Sequence, residues 1–379
     1  VSFWEKETFF AQQDVIIVGS GFTGLWSALQ LITQHPEYKI TILEIGLIPT
    51  GASTRNAGFS CFGSPSELLS DIDAMGEEKM WQLVEKRFNG LTEIRNHFTD
   101  IEIDYDDCGG YECFTDNSDD WQQSHTNLPL LNRGLKKITG VDTIFKIADD
   151  KLTDFGFKGF QHLIENKAEG GLHSGKLIQA LLKKVTSSGV QVLTGIEVNN
   201  FITLNSSVEV NCVTNEMGYA PYTFKTKQLL LCTNAFTKKL LPDLDIVPNR
   251  GQIFITEPIQ GLPFRGTFHF DKGYYYFRNV GDRLLIGGAR NKAIHEENVD
   301  DFDTTSLIQN ELERFTRAHL LTDIPFTITD RWSGIMAMGK EKSPIVEQVS
   351  NQVFCCVRMS GMGVALAPVI GKEVAAMMG

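Results

Sequence analysis

Hydrophobic and polar positions change period several times along the chain, and each change marks an element. Residues 14–44 run through the apolar stretch Val15–Val18, a glycine turn, apolar residues at helical spacing and a second, mostly apolar run that stops at Glu44. This predicts strand, turn, amphipathic helix, strand. Glu77 to Phe98 sets Met80, Leu83, Val84, Leu91, Ile94 and Phe98 at helical spacing, which predicts one long helix that tolerates Gly90. Residues 104–160 are rich in Asp and Gly, show no strong period and read as short strands and loops. From Gly170 the helical period returns, with Ser174 as cap, Leu177, Ile178, Leu181, Leu182 and Val185 along one side, and Gly189 as stop. Strands follow at VQVLTGIEV and at alternating Val208, Val210 and Cys212, then a turn near Asn215 to Pro221. The unbroken run Leu229–Cys232 suits a strand covered on both faces.

From Pro248 to Arg290 the pattern becomes GQIFITEP, GTFHF, GYYYFRN and RLLIGGAR, short strands separated by Gly, Pro and Asp, as in an antiparallel sheet. Asp303 to Leu320 reads as another amphipathic helix, and the last segment as a buried strand, a glycine loop and a closing helix. The fold class is therefore α/β: a parallel-sheet domain assembled from residues 1–88, 165–245 and 335–379, and an α+β domain with a mostly antiparallel sheet from residues 89–164 and 246–334.

The opening unit has the geometry of a dinucleotide cradle, which makes the first domain Rossmann-type. Gly19 permits a sharp turn after the strand, Gly21 lets backbone approach a pyrophosphate, and Gly24 lets helix pack on sheet. The helix N-terminus offers free N–H groups and a positive dipole end to phosphate. Glu44 closes the second strand, where a carboxylate accepts from ribose hydroxyls and repels a 2′-phosphate, favouring NAD or FAD.

Composition narrows the partners. With 379 residues, 42% hydrophobic and 22% charged, the chain supports two domains with sizeable cores. A formal charge of −12 without a basic run argues against nucleic acid or an anionic membrane surface and for a small solute. The N-terminal stretch lacks the layout of a secretory signal, and Arg358 with glycine and proline breaks argues against a membrane span over Val353 to Ile370. Seven cysteines, odd in number and without CxxC or zinc spacing, read as reduced thiols of a cytoplasmic protein.

The order of GSGFTGLWSA, GASTRNAGF, GGLHSGKL, LLLCTNAF, PNRGQ, YYYFRN with RLLIGG, and SGMGVALAP resembles the D-amino-acid oxidase superfamily of FAD-dependent amine oxidoreductases over nearly the whole chain. The N-terminal half looks closest to the γ-glutamylputrescine oxidase type. The resemblance implies that FAD contacts Gly19, Gly21, Phe22, Thr23, Gly24 and Glu44 in the opening unit. It implies that Gly51, Ala52, Ser53, Thr54 and Arg55 run along the ribityl and pyrophosphate, that Asn56, Ala57 and Gly58 leave room for the ring, and that Val198 meets the adenine. Thr233, Asn234 and Ala235 would close over the dinucleotide, while Gly361, Met362, Gly363 and Val364 would bring a helix N-terminus to the pyrimidine edge.

Three departures from the family pattern shape the expected chemistry. Where some relatives attach flavin to His or Cys, this chain has Asn56 or Ala57 and Met336 or Ala337, so FAD is expected to be noncovalent. Trp332, Ser333 and Gly334 are followed by Ile335 and Met336, so the arginine that holds an α-carboxylate in amino-acid oxidases is missing. Leu285 stands where sarcosine-oxidase relatives carry a lysine that assists O₂, which leaves O₂ or another acceptor open.

Tyr274 and Tyr276 are candidates to wall an amine site, and Arg278 or Lys340 to hold a remote anionic group. The expected reaction takes hydride from a C–H beside nitrogen to flavin N5, with the imine hydrolysed by water; no metal or Ser/His/Asp constellation is needed. A D-amino acid or glycine oxidase, and a flavin-binding sensor without catalysis, are the competing readings. Oligomeric state stays open.

Overall fold

The computed structural model describes residues 1–116, 118–214 and 221–379. All of the expected turn near Asn215 to Pro221 except Pro221 lies outside the described residues. The chain divides into two compact units, Val1–Thr54 with Gly175–Pro248 and Met336–Gly379, and Arg55–Ser174 with Asn249–Ile335.

In the first unit the apolar runs become the centre of a sheet. Its strand order is Ile345–Ser350, Val353–Val357, Tyr222–Leu231, Gln13–Val18, Ile40–Glu44 and Gln191–Thr194, parallel throughout except at the edge strand Ile345–Ser350. Val208–Thr214 and Ile196–Thr203 add an antiparallel extension beside Tyr222–Leu231. Ile16, Ile17, Leu229, Leu230 and Leu231 are fully buried, as strands covered on both faces require. Helices Phe22–Gln34 and Gly363–Met378 pack on each other at Gly371, where a Cβ would lie 2.8 Å from the backbone nitrogen of Ser27. Only glycine permits that backbone approach.

The second unit holds a sheet in the order Ile328–Met338, Val247–Thr256, Arg283–Gly288, Tyr275–Val280, Thr267–Phe270, Gly110–Phe114, His162–Asn166 and Phe145–Ile147. The pairing of Thr267–Phe270 with Gly110–Phe114 is parallel, while the next pairings on either side are antiparallel. One face is an aromatic core in which Phe268 and Phe277 stack at 4.9 Å between centroids, joined by Phe157, Phe254 and Phe315.

Two helices stand outside the expected elements. Asp119–Thr139 lies within the stretch read as strands and loops; Ser118 caps it by accepting from the Trp121 amide, and Leu128, Leu131 and Leu135 are its buried side. Pro65–Met75 is closed by a capping box of Ser64 and Glu67 with Pro65 in the first turn. These helices and Glu77–His97 pack together, which draws residues 55–88 into the second unit instead of the first. Residues 165–174 join it too, since His162–Asn166 belongs to its sheet. The helix expected from Asp303 begins at Ser306. Among the described residues no helix is long and apolar enough to cross a membrane.

Candidate functional site

The first unit carries the glycine turn in the expected place. Gly19 sits at φ +101° and its N–H donates to the Leu43 carbonyl at 2.8 Å, so the chain reverses directly above the parallel strands. A Cβ on Gly24 would stand 2.0 Å from the Gly19 carbonyl oxygen, which makes the strand-to-helix contact possible for glycine alone. Gly21 begins the helix without any side-chain cap, and the Phe22 N–H donates to Ser53 Oγ at 2.9 Å. Gly51 opens on free space, with no atom within 4 Å of a Cβ placed there.

Glu44 is buried, and its Oε2 accepts from the Ser20 N–H at 2.9 Å and the Ser20 hydroxyl at 2.7 Å, while Oε1 accepts from the Gly46 N–H at 2.9 Å. A carboxylate has about four acceptor positions, so one remains on Oε1. Ser20, absent from the sequence-based candidates, thus orients the acid.

A second backbone feature of this unit combines Asn234 with the segment after Val353–Val357. Asn234, at φ +43°, accepts at Oδ1 from the Arg358 and Met359 amides at 3.2 and 3.4 Å. Arg358, Ser360 and Gly361 also hold positive φ, a concentration of strain that persists only where surroundings enforce it. The Arg358 guanidinium supplies part of that enforcement by donating to the Asp245 carbonyl at 3.1 Å, its carboxylate at 2.8 Å and the Ser343 carbonyl at 3.0 Å. The Ser360 hydroxyl is shielded from solvent and has no hydrogen-bond partner among the described residues. Met362 caps the closing helix without a side-chain bond, leaving the turn at Gly363 and Val364 open to an acceptor. Thr233 shares a hydroxyl contact with Thr237 at 2.8 Å, Ala235 is buried, and Val198 pairs with Cys212 on the antiparallel extension. Met336 Sδ lies 3.4 Å from a Cβ built on Gly361.

In the second unit residues Arg55–Gly58 are held from both sides. Arg55 donates through Nη1 to the Ser333 carbonyl at 3.1 Å and lies 4.4 Å over the Phe302 ring, while Trp332 Nε1 donates to the Arg55 carbonyl at 3.0 Å. The W-x-G strand is therefore a clamp on this loop. Asn56 Oδ1 accepts from the Gly58 N–H at 2.8 Å and from the Ser174 hydroxyl at 2.6 Å, which ties Ser174 to the loop. Arg278 is buried, and it donates to the carbonyls of Gly58, Leu172 and Asn279. With Nε and Nη1 on backbone carbonyls, it fastens the loop. Lys340 is exposed and belongs to the first unit, where its amide donates to Asp245.

Strand register sorts the aromatic run. Tyr275 and Phe277 enter the aromatic core, with the Tyr275 hydroxyl donating to Glu311 at 2.7 Å, and Tyr276 turns to the opposite face. There it sits across from His269 on one neighbour and Gly287 on the other; a Cβ on Gly287 would be 2.5 Å from the Tyr276 ring and 2.7 Å from Ile253. Leu285 lies across from Arg278 on the same face. Phe59 meets both His269 and Tyr276 edge-on, at 5.2 and 6.0 Å between centroids. Burial pushes the Tyr276 phenol up and the His269 imidazole down, so both are neutral near pH 7.

Residues 14–377 match the family model described as FAD dependent oxidoreductase, DAO. The probable oxidoreductase OrdL of Haemophilus influenzae is 24% identical over 96% of this chain and 82% of its own length. Among solved structures, the fold is shared with L-proline dehydrogenase from P. horikoshii (TM-score 0.76, 16% identity, 97% of this chain and 93% of that one). It is also shared with glycine oxidase from Bacillus cereus (TM-score 0.72, 16% identity, 97% and 95%).

Proposed function

Because the chain belongs to the FAD dependent oxidoreductase family, we propose that it oxidises a carbon–nitrogen bond of a small amine or amino-acid derivative. The residues fit the cofactor: the helix N-terminus at Gly21 has no side-chain cap, Gly51 opens on free space, and the Ser360 hydroxyl is a buried polar atom in need of a partner. In this reading the first unit holds FAD and the second presents the substrate. Gly19 through Gly24 would hold the diphosphate, Glu44 would use its remaining acceptor position on the adenosine ribose, and the turn Met362–Val364 would hold the ring.

Bound FAD supplies a two-electron hydride acceptor. This chain's side chains do the rest. Tyr276 walls the donor with a neutral ring that holds an amine yet allows its uncharged form, the form that can lose hydride from the adjacent carbon, whereas Tyr274, the other expected wall residue, packs against the aromatic core. Phe59, Ile253 and Leu285 keep water away from that face until the product imine leaves for hydrolysis to a carbonyl compound and an amine or ammonia. Asn56, Ala57, Met336 and Ala337 offer no nucleophile, so the cofactor is held without a covalent bond. Leu285 favours an acceptor other than O₂.

The observation that carries the substrate side is the sheet face formed by Tyr276, Gly287 and Ile253 opposite the aromatic core. The test is anaerobic mixing of the FAD-loaded protein with polyamines, γ-glutamyl amines, N-methyl amino acids and D-amino acids. Loss of flavin absorbance at about 450 nm with at least one amine is expected; absorbance that persists with every donor refutes the reading. Acid precipitation should release all yellow colour into the supernatant.

A further inference from the structure

Gly287 stands inside the strand Arg283–Gly288, where glycine weakens the sheet and packs nothing of its own. Its backbone does not call for glycine either. Gly288 has φ +113°, whereas Gly287 lies outside the left-handed region, so any residue could adopt its conformation. The reason for the missing side chain lies across the strands. Gly287 pairs with Tyr276 on one neighbour and with Ile253 on the other. A Cβ built on it would stand 2.5 and 2.7 Å from two ring carbons of Tyr276 and 2.7 Å from Ile253 Cγ1. The Tyr276 ring thus leans over the bare backbone, as an aromatic side chain covers a glycine on an adjacent strand.

The other side of the ring is closed. His269 lies directly across from Tyr276 on the strand Thr267–Phe270, and Phe59 stands nearly perpendicular to both rings, at 87° to His269 and 81° to Tyr276. A methyl group added at Gly287 would therefore push the phenol away from the sheet. Non-bonded carbons settle at about 3.5–4.0 Å, so the ring would rise by roughly 1 Å or more. That is comparable with the length of about 1.5 Å that one methyl group adds to a ligand.

We propose that Gly287 is a specificity-determining residue that acts through Tyr276: it lets the ring lie against the sheet and so leaves depth for a methyl-sized branch on the nitrogen or the donor carbon of the amine. This rests on the amine-oxidation reading and adds a size limit to it. Gly287 is a positioning residue, since the ring and not the glycine meets the donor.

The test uses FAD-loaded wild type, Gly287→Ala, Tyr276→Leu and the combination of the two, with the retained visible spectrum as the check on folding. Gly287→Ala is also made together with Ile253→Ala, which frees room on the far strand and keeps the clash with the ring, in case the single variant loses its flavin. Donors are offered in pairs that differ by one methyl group: glycine and N-methylglycine, putrescine and N-methylputrescine, D-alanine and D-2-aminobutyrate. In each pair that bleaches the flavin, G287A should lower the ratio of kcat/KM for the larger donor to that for the smaller by roughly 10- to 100-fold, more through KM than through kcat. In the Tyr276→Leu background the same substitution should leave the ratio unaltered, because the ring that it displaces is gone. Crystal structures of wild type and G287A read the ring position without any donor.

A ratio that changes equally with and without the ring, or a Tyr276 ring that keeps its place in G287A, would overturn the assignment. If amines bleach the wild-type flavin and G287A leaves the ratio unaltered, the size limit falls and the amine reading stands. If no donor bleaches the wild-type flavin while the ring rises in G287A, the amine reading falls and Gly287 retains its hold on Tyr276 without a part in specificity.

Discussion

Arg278 shows how one side chain can set the shape of a loop. Its donors end on the Gly58, Leu172 and Asn279 carbonyls, and a Cβ on Gly171 would collide with its guanidinium carbon at 2.3 Å. Lysine cannot span those acceptors with one ammonium. Arg278→Lys should leave at least one buried carbonyl unsatisfied, at a cost of about 1–3 kcal/mol. The expected result is a lower thermal midpoint and faster loss of yellow colour on desalting, and unaltered flavin retention would argue against a fastening role. Gly24→Ala should be more severe, because its Cβ meets backbone at 2.0 Å; a colourless but folded protein by circular dichroism is the outcome to look for. Gly19, Gly21, Gly24 and Glu44 could be found in the sequence because their spacing is local. Ser20 and Arg358 could not: their roles depend on partners such as Glu44, Asn234 and Asp245, far along the chain. The available signal was a lone arginine inside the buried run VFCCVRMS.

At the scale of elements, helix contact depends on missing side chains. Gly371→Ala would gain about 1 kcal/mol of helix propensity, yet its methyl would stand 2.8–2.9 Å from backbone atoms of Ser27 and Trp26. Separating the two helices should outweigh that gain, for a net loss of about 1–3 kcal/mol, measured as a drop in unfolding midpoint. Long apolar runs and the Glu77–His97 helix were legible because their period repeats over many residues. Asp119–Thr139 was not, since Asp119, Asp120 and Pro129 read as loop and the buried stripe has only a few members, Ser124, Leu128, Leu131 and Leu135. Ser64-Pro65-x-Glu67 did carry a readable start signal for Pro65–Met75. Domain bounds were hardest, because the helices of residues 65–97 are assigned by what they pack on.

Across the whole molecule, buried acids make stability depend on pH. Burial raises the carboxyls of Glu112 and Glu169 from 4.5 to about 8, against the lowering effect of hydrogen bonds from Ser66 to Glu112 and from Phe62 to Glu169. Between about pH 4.5 and 8 the folded chain holds protons that the unfolded chain has released. Stability therefore falls as pH rises through that window, by on the order of a few kcal/mol per group. The thermal midpoint should decline from pH 5 to 8, and Glu112→Gln should flatten the curve; a midpoint that climbs over this range contradicts the sign. The discontinuous first unit has its own consequence during synthesis. Gln13–Val18 needs Tyr222–Leu231 along one side, and that partner leaves the ribosome about 200 residues later. At about 5–20 residues per second the nascent strand waits roughly 10–40 s with an open edge, exposed to mispairing with neighbouring chains. Holdase supply and slow growth should therefore govern soluble yield more than the stability of the finished enzyme.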